Sequence, residues 1–163
     1  MLNAHRFKVL VALLALPLAG CESLPNGGPQ TSVAAALGAY SATDGDVGPK
    51  ATLRRARSAL SAGNFGLAAD AYQKAVEMRP DETQGWLGLA AAYDELRRFD
   101  LADRAYGKAL QLGGPTVQFL NNRGYSYLLR GEYVAAGRDL TAARAKDPGN
   151  ARIETNMTML RSH

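Results

Sequence analysis

From residue 49 to residue 150, small and large apolar residues return in the same phase every 34 positions. Aligned from Pro49, Thr83 and Val117, three turn positions coincide: Gly63-Asn64-Phe65, Arg97-Arg98-Phe99 and Gly131-Glu132-Tyr133. Each ends in an aromatic. Three residues later stand Ala68, Ala102 and Ala136; four further on, Tyr72, Tyr106 and Leu140; three beyond those, Ala75, Ala109 and Ala143. Before the middle turn, Trp86, Leu89 and Tyr93 fall at helical spacing, and Gly124 and Tyr127 repeat the phase of Ala90 and Tyr93. The pattern predicts three helical hairpins, 49–82, 83–116 and 117–150, with no insertion between them. A single 34-residue hairpin is too small to bury its apolar face, and about three stacked units are needed for a continuous core.

The physical sense of the pattern is close approach. Small residues sit where paired helices touch, large ones fill the gaps beside them, and Pro80 and Pro148 stop the second helix of a hairpin. Four departures stand out. Thr52, Arg55 and Ala59 replace large apolar residues in the first helix, as expected of an exposed terminal cap. Arg123 stands where the repeat has leucine, which predicts disturbed packing. Gly113-Gly114-Pro115 places its proline one residue late, which predicts a looser turn. Residues 151–163 restart the register and then stop; Ile153, Met157 and Leu160 give one apolar face, that of a C-terminal capping helix.

This arrangement resembles the tetratricopeptide repeat, whose pattern is W-x2-L-G-x2-Y followed by A-x3-F, A and P. The resemblance covers residues 49–150. It implies an all-α fold, an α-α superhelix of three hairpins plus the capping helix.

The N-terminus has a different character. Arg6 and Lys8 precede an apolar run over 9–16, too short to span a bilayer as a permanent helix. Leu18-Ala19-Gly20-Cys21 follows. The layout is that of a secretory signal, and the last four residues resemble a bacterial lipobox. That resemblance implies removal of residues 1–20 and acylation of Cys21. Several acyl chains, at about 0.8 kcal/mol per buried methylene, would anchor the protein stably. Glu22 in place of Asp, by resemblance to enterobacterial sorting, favours the outer membrane. Residues 21–48 then read as an acylated terminus and a flexible linker rich in Pro, Gly, Ser and Asn, with a short helix over 31–40. Such a coil reaches roughly 30 Å.

Composition narrows the function classes. The chain carries 19 Lys and Arg against 15 Asp and Glu. Removing Arg6 and Lys8 leaves 17 basic residues and a net charge of +2, scattered rather than striped, which argues against nucleic acid. Cys21 is the single cysteine, and the two histidines, His5 and His163, lie at the chain ends. A metal site or a His-based catalytic arrangement has almost no raw material, and no cofactor is expected. Asp94, Glu95, Asp100 and Asp103 lie close together, but beside Arg97, Arg98 and Arg104 they read as surface ion pairs rather than acid–base machinery. Gly85-x-x-Gly88 falls inside a helical pattern and is no phosphate cradle. The chain does not read as an enzyme.

By family resemblance, six positions of each first helix face a binding groove. In the first repeat these include Leu53, Arg54 and Arg57, with Lys50 and Leu60. In the second they include Leu87, Ala91 and Asp94, with Gln84 and Glu95. In the third they include Asn121, Asn122, Tyr125 and Leu128, with Gln118 and Leu129. The asparagines could bond an extended peptide backbone, Tyr125 and Leu87 could bury its side chains, and Arg54 and Arg57 could take an acidic group.

The lipobox, short linker, three repeats and the stretch Asn121-Asn122-Arg123-Gly124-Tyr125-Ser126-Tyr127-Leu128-Leu129-Arg130-Gly131-Glu132 together resemble the TadD family of tight-adherence (Flp) pilus lipoproteins. The resemblance implies a scaffold of the bacterial envelope that assists pilus or secretion-machine assembly, with an outer-membrane secretin as partner. The alternative is an envelope adaptor for peptidoglycan-processing enzymes.

Overall fold

The computed structural model of the protein describes residues 48–163. The expected signal peptide, Cys21, the expected linker up to residue 47 and the expected short helix over 31–40 lie outside them.

Among the described residues seven helices follow one another: α1 Pro49–Ser61, α2 Phe65–Met78, α3 Thr83–Glu95, α4 Phe99–Gly113, α5 Val117–Arg130, α6 Tyr133–Lys146 and α7 Ala151–Arg161. The first helices α1, α3, α5 and α7 start 34 residues apart. α1, α3 and α5 each pair with their successor as a helical hairpin, and α3, α5 and α7 each pack on the hairpin before them. The result is an all-α superhelical stack.

Local chemistry sets the helix ends. Pro49 opens α1, where its missing N–H costs nothing. The Thr116 hydroxyl accepts from the Phe119 amide at the start of α5, and Asn150 Oδ1 accepts from the amides of Arg152 and Ile153 at the start of α7. The hairpin turns share one geometry. Asn64, Arg98 and Glu132 donate their backbone N–H to Ala59, Tyr93 and Tyr127 respectively, each at 2.9 Å. Such a closure needs a left-handed residue just before the donor. Gly63 and Gly131 supply it with φ of 75° and 76°; Arg97 is forced into it with φ of 59°.

The middle turn therefore carries backbone strain that its siblings avoid. Arg97→Gly should raise stability by about 0.5–1 kcal/mol, the relief of αL strain exceeding the lost stacking of Arg97 on Phe99. Urea denaturation followed by circular dichroism checks it; a loss of stability would show that the stacking outweighs the strain.

The core is built of alanines and the large residues they admit. Ala56, Ala68, Ala90, Ala102, Ala109, Ala136 and Ala143 are fully buried, beside Tyr72, Leu89, Tyr106, Phe119 and Leu140. The closest approach is between α2 and α3: a Cβ on Gly88 would lie 2.1 Å from the Tyr72 ring. Gly85-x-x-Gly88 thus serves packing. Gly124 likewise leaves room for Leu140. After the second repeat, α4 runs one residue longer than α2 and α6, and Gly114 takes φ of 65° before Pro115. The late proline lengthens the helix, and glycine absorbs the change of direction. On α7, Ile153 and Met157 are buried, and Leu160 packs against the core.

Candidate functional site

A cavity of about 280 Å³ opens on the first-helix side of the stack. Ala91, Asp94 and Glu95 of α3 and Asn121, Asn122 and Tyr125 of α5 line it. Leu60 and Phe65 close it towards the first repeat, Tyr106 from α4, and Arg152 and Asn156 from α7. Seven of the sixteen groove candidates meet here: Leu60, Ala91, Asp94, Glu95, Asn121, Asn122 and Tyr125.

The others lie elsewhere. Leu53 lines a small separate hollow with Ala75, Arg79 and Glu82. Arg54 and Arg57 are exposed on α1. Leu87 is 1% exposed and Leu128 8%. The reading of Leu87 as a residue that buries a peptide side chain is therefore corrected: it is a packing residue, while Ala91 lines the cavity. Leu128 is in the same position. A repeat-position rule names a helix face but not its depth. Phe65, Tyr106, Arg152 and Asn156 were missed. Carrying the first-helix register into α7 would have found the last two, at its second and sixth positions.

Asp94 also differs from the sequence expectation. It is 1% exposed and no surface ion pair. Ser126 donates to its Oδ1 at 2.6 Å and Tyr106 to its Oδ2 at 2.8 Å, while Arg130 stands 3.9 Å away. Burial pushes its carboxyl above the usual range, against the pull of those two hydrogen bonds and of Arg130. Burial and the Asp94 charge together push the Tyr106 phenol well up. Arg130 is held in turn by a two-pronged pair with Asp103, at 2.6 and 2.9 Å, and by the faces of Phe99 and Tyr127. The pair of Arg104 and Asp100, by contrast, is exposed.

Arg123 does not disturb the packing. It makes two hydrogen bonds to Asp139, at 2.6 and 3.0 Å, and lies over the rings of Phe119 and Tyr127. Asp139 is 3% exposed, so the guanidinium neutralises a buried carboxylate.

The amides in the cavity form a relay. Asn156 Nδ2 donates to Asn121 Oδ1 at 3.0 Å, and Asn121 Nδ2 to Asn122 Oδ1 at 3.4 Å. Burial, and then the Glu95 carboxylate beside it, raise the Tyr125 phenol. The arrangement offers hydrogen bonds, ring faces and isolated charges, the means of holding a polypeptide segment.

These features define a solenoid of stacked helical hairpins with a ligand-sized cavity on its first helices. The tetratricopeptide repeat model matches residues 53–102 and 92–151, more than half of the chain, and the protein belongs to that family. A tetratricopeptide repeat-containing protein of Methanocaldococcus jannaschii is 30% identical over 87 residues, covering 53% of this chain and 15% of the relative. The chain thus spans only a small part of that relative's length. Among solved structures, the Arabidopsis OM64 tetratricopeptide domain is similar with a TM-score of 0.63 and 22% identity, covering 71% of this chain and 95% of that domain. A domain of yeast Sti1, solved in complex with an Hsp70 peptide, gives 0.61 at 22% identity over 70% and 96%. The Yersinia enterocolitica type III secretion translocator chaperone SycD gives 0.61 at 19% identity over 74% and 94%. The fold is that of protein–protein interaction modules, which are typically non-enzymatic.

Proposed function

We propose that the protein is a lipid-anchored scaffold of the bacterial envelope, acylated at Cys21, that holds a segment of a partner protein in the cavity between α3, α5 and α7. The observation that carries this reading is the lipobox-like Leu18-Ala19-Gly20-Cys21 placed ahead of a tetratricopeptide stack. Acyl chains would fix the protein to the membrane, linker residues 21–48 would let the stack range about it, and the cavity would select the partner. The resemblance of residues 121–132 to the TadD family favours a role in assembling a tight-adherence pilus or related secretion machine, by escorting or stabilising its outer-membrane secretin. The fold shared with a secretion chaperone is in keeping with an escort.

Two measurements test it. Cys21→Ala should abolish incorporation of labelled palmitate and move the protein from the membrane to the soluble fraction. Capture from detergent-solubilised envelopes should recover the secretin, and Tyr125→Ala with Asn122→Ala should lower that recovery about tenfold. Recovery of cell-wall hydrolases without secretin would overturn the pilus role in favour of an adaptor for peptidoglycan-processing enzymes.

A further inference from the structure

Two charged side chains of the cavity make no ion pair among the described residues, and Tyr125 holds one of them, Glu95, by a hydrogen bond. Glu95 is the last residue of α3 and half-buried, and it makes no ion pair among the described residues. Arg152, near the start of α7, makes none either. Between them the amide relay ends in one unused donor, Asn122 Nδ2, and one unused acceptor, Asn156 Oδ1. A donor and an acceptor match the C=O and N–H of a peptide unit.

The charges fix what flanks that unit. Glu95 lines the cavity together with Tyr125 and Phe65, whose rings flank it. A carboxylate set among aromatic faces attracts a cationic side chain, whose stem the rings cover and whose charge both ring and carboxylate favour. It repels an acidic one. Arg152 has the opposite preference and suits a carboxylate, which its planar fork can grip with two hydrogen bonds.

Building on the protein-binding reading above, we propose that the cavity takes an extended partner segment carrying a basic and an acidic residue. A lysine or arginine seats against Glu95 and Tyr125, an aspartate or glutamate reaches Arg152, and a peptide unit between them bonds Asn122 and Asn156. The capping helix α7 is then a wall of the binding site as well as a cover for the core. The charge pair sets the direction in which the segment lies and excludes uniformly acidic segments, since electrostatic matching of this kind gives specificity more than raw affinity.

The test uses the full chain in detergent micelles and labelled ten-residue peptides of alanine and serine. Each peptide carries one lysine and one aspartate, two to four residues apart, in either order. Fluorescence anisotropy should show the best of these binding about tenfold tighter than its Lys-to-Gln or Asp-to-Asn counterpart. Glu95→Gln should erase the preference for lysine alone, and Arg152→Gln the preference for aspartate alone. Equal binding of all peptides, no binding of any, or tighter binding of a peptide with two aspartates overturns the proposal. Envelope capture separates this failure from failure of the scaffold itself. If Tyr125→Ala lowers capture while Glu95→Gln and Arg152→Gln do not, the cavity still holds the partner but the charge pattern is wrong. Release by Cys21→Ala reports on the anchor independently.

Discussion

Replacing Arg123 with leucine should lower stability by about 3 kcal/mol, although it restores the residue that the repeat carries at Leu89. The reason lies across the hairpin. Asp139 on α6 has Arg123 as its ion-pair partner, through two hydrogen bonds, and is 3% exposed. Leucine at 123 leaves that carboxylate buried and unpaired, which costs several kcal/mol in general; the partial exposure of Arg123 places this case at the lower end. The second repeat shows the apolar alternative at the same two positions, Leu89 and Ala105, both buried. The double variant Arg123→Leu with Asp139→Ala should therefore recover to within about 1 kcal/mol of the parent, because replacing both members of a buried pair is often neutral. Urea denaturation gives both values. A single variant that loses less than about 1 kcal/mol would show that the pair does not hold α5 to α6. The difference should persist at 1 M salt, where exposed pairs are screened and buried ones are not.

This pair marks how far the sequence could be read. The 34-residue phase was legible because its signal is geometric: alanine and glycine at close approaches, aromatics after the turns, the same in every unit. Arg123 was visible as a departure, but not as half of a substitution. Its partner lies 16 residues on, and only the facing of α5 on α6 joins them. Comparison across repeats would have exposed it, since Arg-for-Leu at 123 and Asp-for-Ala at 139 occur together in the third unit alone. The cavity was legible to the same degree. The family resemblance placed Ala91, Asn121, Asn122 and Tyr125 on one face of the first helices, and all four line the cavity. The burial of Leu87 and Leu128 did not follow from that face, because depth depends on how neighbouring helices close over a face. Asp94 was misread for a related reason: its neighbours in sequence are arginines, while its neighbours in space are Tyr106, Ser126 and Arg130.

Asp94→Leu should cost about 2–4 kcal/mol, again against the repeat's own precedent, since Leu60 and Leu128 occupy the equivalent positions. Leucine removes the acceptor for two buried hydroxyls, those of Tyr106 and Ser126. Each unsatisfied buried group costs about 1–3 kcal/mol. Arg130 keeps its two bonds to Asp103 and its donation to Ser126, which limits the damage. Adding Tyr106→Phe and Ser126→Ala should restore most of the loss, because removing both sides of a hydrogen bond leaves nothing unsatisfied. Asp94→Asn keeps the shape and an acceptor, and should cost about 1 kcal/mol or less at neutral pH. The asparagine variant also reads the charge. The folded-state pKa of Asp94 is raised, so the native protein holds this proton more tightly than the unfolded chain. The stability from that protonation is complete below the unfolded value and is lost as pH rises through the folded one. Asparagine does not titrate. The stability of the parent relative to Asp94→Asn should thus grow as pH falls from 7 towards 4, measured by urea denaturation at each pH. A difference that shrinks on acidification would mean that Ser126, Tyr106 and Arg130 outweigh burial and hold the carboxylate down.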